Sequence, residues 1–204
     1  MKKFTAFFSA FFILTMLVFT GCSSNSDSIG TAKPAPVKNT ISPTATVSLT
    51  LNDDTIYDEE TFSVVMPKNT KINKNGQLYS WTFGTSKYNV MINVAIIGLS
   101  FDSSYLVSSD TILASVINSL ETAAENTIKI DAGYKKTTIN GKNAVLLTGK
   151  SISTVAGDVD IYYVDSSKGL VSVVIAKVYY DNTTDVQKEA TTAVNNVFST
   201  LTIK

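Results

Sequence analysis

Asp158 and Asp160 stand two residues apart in Gly157-Asp158-Val159-Asp160-Ile161-Tyr162-Tyr163, a stretch that reads as a β-strand. Side chains two apart on a strand share a face, so the two carboxylates would sit side by side, with Asp165 after the strand. Such a pair could serve as general acid and base, as in a glycosidase, if its surroundings drew the two pKa values apart. A wet sheet face carries the same pattern, and that is the reading expected here. Asp53-Asp54 and Asp58-Glu59-Glu60 could attract Ca²⁺ or Mg²⁺ through oxygen ligands. Their spacing matches no EF-hand loop, so a solvated, charged domain edge is expected and no metal is assigned. Aromatic side chains are a third resource. Tyr79, Trp81, Phe83 and Tyr88 form one group, and Tyr162-Tyr163 with Tyr179-Tyr180 form another. On strands such residues are normally core or cross-strand partners, yet one member of each Tyr-Tyr pair must face away from the other. Trp81, Tyr88, Tyr163 and Tyr180 are therefore the candidate binding surface for a sugar or a peptide, if outward tyrosines line up with Trp81 or Lys177.

What the chain lacks narrows the chemistry further. All 17 cations are lysines, and histidine is absent. Ser-His-Asp and Cys-His catalysis, histidine-ligated zinc and any imidazole switch are excluded, as is guanidinium recognition of phosphate. Lysines balance acidic residues at 17 each, and loss of the first 21 residues, with Lys2 and Lys3, would leave 15 against 17. No field toward nucleic acid follows, and Lys135-Lys136 is too small a basic run to supply one. One cysteine cannot form an internal disulfide, so the core must hold the fold. No cofactor is expected.

That cysteine has a telling position. Lys2 and Lys3 precede an apolar run from Phe4 to Phe19, which is signal-peptide anatomy and marginally short for a membrane span of about 20 residues. Phe19-Thr20-Gly21-Cys22 follows, and then Ser23-Ser24-Asn25-Ser26. This junction resembles the lipobox of bacterial lipoproteins, with Phe19 standing where that family prefers leucine. The resemblance implies that the Cys22 sulfur accepts a diacylglyceryl group and that Cys22 becomes the N-terminus, residues 1–21 being the removed signal peptide. Two acyl chains make membrane residence stable where one would be marginal. The expected location is the outer face of the cell membrane.

Residues 22–54 are rich in Ser, Thr, Asn, Pro and Ala, and read as a lipidated N-terminus and disordered tether with an r.m.s. reach of roughly 30 Å. Residues 55–204 form the expected domain, large enough to bury a core. Strands are expected over 61–66, 78–83, 88–99, 134–139, 144–153, 159–164 and 170–179. Asn75-Gly76, Asn140-Gly141, Ala156-Gly157 and the Asp165–Gly169 stretch separate strands, Asn-Gly being the strongest hairpin signal because both residues accept positive φ. Period-3.6 patterns place one helix over 108–126, with Ile112, Val116, Leu120 and Ala123/Ala124 inward and Glu121 and Glu125 wet. The second runs from Val186 to Phe198 behind Asp185 as cap, and Leu201-Thr202-Ile203 closes the chain as a short strand. Helices interspersed among antiparallel strands give an α+β class, an antiparallel sheet with helices packed on it.

Phe62-Ser63-Val64-Val65-Met66-Pro67, Thr138-Ile139-Asn140-Gly141-Lys142-Asn143-Ala144 and Val194-Asn195-Asn196-Val197-Phe198-Ser199-Thr200-Leu201 resemble the PsbP-like fold, an α-β-α sandwich. That resemblance spans nearly the whole domain. It implies a non-enzymatic accessory module that binds another envelope protein. The alternatives are a lipoprotein that binds a small molecule or wall polysaccharide through its aromatics, and a hydrolase built on Asp158 and Asp160.

Overall fold

The Val-rich run Leu170-Val171-Ser172-Val173-Val174-Ile175-Ala176 is apolar on both of its faces, as a strand covered on both sides must be. In the computed structural model, which describes residues 47–50, 53–97 and 102–204, that run lies near the middle of the larger of two sheets. In chain order the elements are β1 (Val47–Thr50), β2 (Thr55–Asp58), β3 (Phe62–Met66), β4 (Lys71–Asn75), β5 (Leu78–Gly84), β6 (Tyr88–Ile97) and helix α1 (Asp110–Ala123). They continue with β7 (Ile128–Ile130), β8 (Lys135–Ile139), β9 (Lys142–Ser151), β10 (Ala156–Ser166), β11 (Gly169–Tyr179), helix α2 (Thr184–Phe198) and β12 (Thr202–Ile203). The large sheet runs β1-β4-β5-β6-β11-β10-β9-β7, with β8 also against β9, and the small one runs β12-β3-β2. Every described pairing is antiparallel.

Helices cover opposite faces of the large sheet. Val186, Ala190, Val194 and Val197 of α2, together with Phe62, Val64 and Met66 of β3, pack on Trp81, Val90, Ile92, Val173 and Ile175. On the other face, Leu113, Val116 and Leu120 of α1 pack on Val145, Leu147, Val159, Ile161 and Tyr163. Each Val, Leu, Ile, Phe or Met among them contributes about 1.5–3 kcal/mol when fully buried. The α+β class with an antiparallel sheet between helices is thus observed.

Local chemistry explains the boundaries. Asn140 and Gly141 turn the β8–β9 hairpin at φ +49° and +78°, both positive as a tight two-residue turn requires. Ser109 caps α1 by accepting from the Ile112 N–H, and Thr183 rather than Asp185 caps α2 by accepting from the Val186 N–H.

Four strands fall outside the sequence-based expectation. β1 lies within the stretch read as tether and pairs with β4, so the sheet begins earlier than residue 55. β2, β4 and β7 are too short or too polar to show an apolar period, β4 directing only Ile72 into the core. Ala156-Gly157 is not a break but the start of β10, where a Cβ on Gly157 would lie 2.5 Å from the Lys177 carbonyl oxygen. That glycine serves close strand approach, not a turn. Glu121 is not on the wet side of α1. Its carboxylate accepts from the Ile130 N–H at 2.9 Å and pairs with Lys129 at 3.0 Å, fastening α1 to β7. β6 is covered on both faces, Met91 and Asn93 being buried as well as Val90 and Ile92.

Candidate functional site

The parity argument for Asp158 and Asp160 holds, because both project from the α2 face of β10, and each carboxylate is engaged by side chains of neighbouring strands. Lys177, on neighbouring β11, places its ammonium 3.2 Å from Asp160 Oδ2. The Tyr179 hydroxyl donates to Asp158 Oδ2 at 2.7 Å, and Lys150 approaches Asp158 Oδ1 at 3.4 Å. Burial, then the hydrogen bond to Asp158 and the charges of Asp158 and Asp160, hold the Tyr179 phenol well above its ordinary pKa, so it stays a donor. Asp165 is elsewhere, on the opposite face, where it accepts from the Ser103 N–H at 2.6 Å. The three carboxylates therefore do not converge on one cleft.

The aromatic surface expected from Trp81, Tyr88, Tyr163 and Tyr180 does not form. Trp81 is fully buried under α2 and β3, stacked on Tyr79 with ring centroids 5.8 Å apart and edge-on to Tyr57 and Phe62. Tyr163 is buried on the other side of the sheet beneath α1, and burial alone drives its phenol far above the normal range. Tyr88 is buried as well, and only Tyr180, 50% accessible, reaches solvent. Strand parity is the reason. Trp81 and Tyr163 lie on opposite faces, and a sheet with a helix on each side turns both into core.

The acidic cluster at 53–60 is equally dispersed. Asp54 accepts from the Lys68 N–H, Asp58 pairs with Lys204, Glu59 with Lys74 and Glu60 with Lys168. These carboxylates tie the small sheet to β4, the β10–β11 turn and the final residue. Cys22 lies outside the described residues.

A different place gathers groups that sequence reading did not connect. Between the C-terminal turn of α2, the end of β3 and the β5–β6 hairpin lies an open cleft of about 430 Å³. That size falls in the usual range of small-ligand sites, about 300–1,000 Å³. Phe83, Tyr88 and Val197 form its buried floor, with Val65, Pro67 and Ala193 half-buried on the walls and Asp54, Lys68, Gly84 and Asn196 at the rim. Gly84 permits the hairpin to close, since a Cβ there would stand 2.4 Å from the Tyr88 carbonyl oxygen. Thr200 is committed, its Oγ1 accepting from the Val65 N–H at 3.0 Å and donating to the Val197 carbonyl at 2.7 Å. Burial first, and the charge of Glu189 second, raise the Tyr88 phenol above its ordinary pKa. Of the residues weighed in the sequence, Asp54, Phe83 and Tyr88 reach this cleft, Tyr88 alone among Trp81, Tyr88, Tyr163 and Tyr180. The rest come from β3, β5 and α2, distant in sequence, which is why no local motif announced them.

No family model matches the chain, and no curated protein matches it. Among solved structures it is similar to the cyanobacterial PsbP protein CyanoP from Synechocystis sp. PCC 6803, with a TM-score of 0.46 and 7% identity over 76% of this chain and 94% of that one. It is also similar to a protein of Bacteroides thetaiotaomicron VPI-5482, with a TM-score of 0.38 and 11% identity over 76% of this chain and 49% of that one.

Proposed function

We propose that the protein is a lipid-anchored, non-enzymatic binding module on the extracytoplasmic face of the cell membrane, held by Cys22 and engaging an envelope protein through the cleft beside α2. One contrast carries this reading. The carboxylates that could do acid–base chemistry are taken up by Lys150, Lys177 and Tyr179, whereas the cleft combines an apolar floor with polar rim groups of which the Lys68 and Asn196 side chains have no partner among the described residues. An apolar depression with a few polar groups around it suits recognition of a partner's side chain. The lipobox-like junction at Cys22 supports the location, and the polar stretch after it supplies the reach away from the bilayer.

The test is a photo-cross-linking amino acid at Asn196, introduced in the native cells. A single envelope protein captured from Asn196, absent when the cross-linker stands at exposed Thr154 and lost in Ala193→Leu, is the expected result. Equal, unselective adducts from both positions would overturn the reading.

A further inference from the structure

We propose that Asn75 is a site of spontaneous covalent modification, closing through the Gly76 nitrogen to a succinimide, and that the fold holds the other Asn-Gly pair of the chain unreactive. Asn75-Gly76 and Asn140-Gly141 are the two such pairs in the sequence. The chemistry needs that dipeptide because a residue without Cβ leaves its own backbone nitrogen unhindered and its dihedrals free. The glycine nitrogen attacks the asparagine Cγ: an N–Cγ bond forms, the Cγ–Nδ2 bond breaks, and the proton of the nitrogen leaves with Nδ2 as ammonia. Water then opens the ring at one carbonyl or the other. The product is an aspartate, or an isoaspartate whose main chain runs through Cβ and is one atom longer.

Both pairs stand at two-residue hairpin turns, β4–β5 and β8–β9, and a Cβ on Gly76 or on Gly141 would meet nothing within 4 Å, so crowding does not separate them. The side-chain amides do. Asn140 Nδ2, the nitrogen that would have to leave, donates to the Leu201 carbonyl in the link between α2 and β12. Asn140 is itself left-handed at φ +49°, and the residue before it, Ile139, is buried in the core. Swinging the Gly141 nitrogen round to the Asn140 side chain therefore unwinds the turn and breaks the Leu201 tie together. Asn75 carries neither restraint. Only Gly76 is left-handed in its turn, at φ +58°, and neither the Asn75 side chain nor the Gly76 N–H has a hydrogen-bond partner among the described residues. Lys74 beside it is fastened, to Glu59 at 3.3 Å and over the Tyr79 ring at 4.5 Å, but on the opposite face of β4. Ring closure at Asn75 thus asks only that the last β4–β5 pair, Asn75 with Leu78, fray at the hairpin tip.

The test follows both pairs in the full chain in detergent micelles, kept folded in mildly alkaline buffer and, in parallel, unfolded in concentrated guanidinium chloride. Samples withdrawn over time are digested with pepsin at acid pH, and mass spectrometry reads the deamidated fraction at each position. In the folded chain Asn75 is expected to convert at least about ten times faster than Asn140, and in guanidinium chloride the two rates should agree within about twofold, because the turn and the Leu201 tie are gone. Asn75→Gln, whose longer side chain would have to close a six-membered ring, should abolish conversion at that position and leave the Asn140 rate unchanged. Conversion of Asn140 as fast as Asn75, or faster, in the folded chain overturns the assignment. A difference that persists undiminished in guanidinium chloride overturns it as well, since its cause then lies in the flanking residues and not in the fold. So does a folded chain in which neither pair converts over a time in which both convert when unfolded.

Discussion

Neutralising Asp160 should destabilise the protein more than removing the lysine that faces it. The side chain of Lys177 is only 11% accessible and that of Asp160 is 24%, with 3.2 Å between charges. Breaking a fully buried pair costs about 3–5 kcal/mol, and an exposed pair is worth about 0.2–1 kcal/mol. Asp160→Asn leaves the less accessible charge without its nearest partner, but Asp158, directly opposite Lys177 in the β10–β11 register, remains on the same face. The loss should therefore fall between the two limits, at about 1–2 kcal/mol. Lys177→Met leaves the more accessible Asp160 to be hydrated and replaces an ammonium by thioether next to Val90, so it should cost about 0–1 kcal/mol. Removing both Asp158 and Asp160 as amides should cost about 3 kcal/mol, since no carboxylate is then left for Lys177. Urea unfolding of the full chain, followed through Trp81, measures all three. With a slope near 1.5 kcal/mol/M, Asp160→Asn should lower the midpoint by about 1 M. A larger loss for Lys177→Met than for Asp160→Asn, or a double variant no worse than Asp160→Asn, would refute the reasoning.

The remaining predictions use other parts of the fold. Burial works against the charge of Glu121, but the Ile130 N–H and Lys129 outweigh it and hold its carboxyl below the usual range. A lowered folded pKa gives stability that is present above the unfolded value of about 4.3 and is lost as pH falls through the folded one. The gap in urea midpoint between wild type and Glu121→Gln should accordingly be full at pH 6 and shrink below about pH 4. Trp81, the single tryptophan, is fully buried, and its Nε1 has no partner among the described residues. Its emission should be blue-shifted and resistant to iodide in the folded chain, and Trp81→Phe should cost less than the about 3–5 kcal/mol of a large-to-Ala change because an unsatisfied N–H leaves with the ring. Gly149→Ala would place a Cβ 2.5 Å from the Lys129 carbonyl and 2.8 Å from Ile130 Cδ1, so β7 must shift. A loss of about 1–3 kcal/mol in thermal or urea unfolding is expected. Metabolic labelling with a fatty-acid probe should mark the wild type and leave Cys22→Ala unlabelled.

Where one element carried its own signal, the sequence was readable. The Asn140-Gly141 pair named its hairpin, and Val116 and Leu120 named the buried side of α1. Face sharing by Asp158 and Asp160 followed from strand geometry alone. The strand pattern itself carried no layers; the α-β-α arrangement came only from the PsbP-like resemblance. A strand pattern fixes which residues share a face, not whether that face meets water, and a helix on each side of the sheet turned Trp81 and Tyr163 from candidate platform into core. Likewise Glu121 reads as solvated on a helical wheel and is instead claimed by β7, a strand of three residues too short to foresee. The cleft was illegible for a related reason. Val65, Phe83 and Val197 meet only after β3, β5 and α2 are docked, and each is an ordinary core-type residue in its own segment.

Cross-linking from the cleft and from the carboxylate pair in the same native membranes separates the two uses of this scaffold most directly. With the photoreactive residue at Asn196 and, in a second strain, at Asp158, the account predicts a discrete envelope-protein adduct from Asn196 and none from Asp158. An adduct formed from Asp158 alone would contradict it.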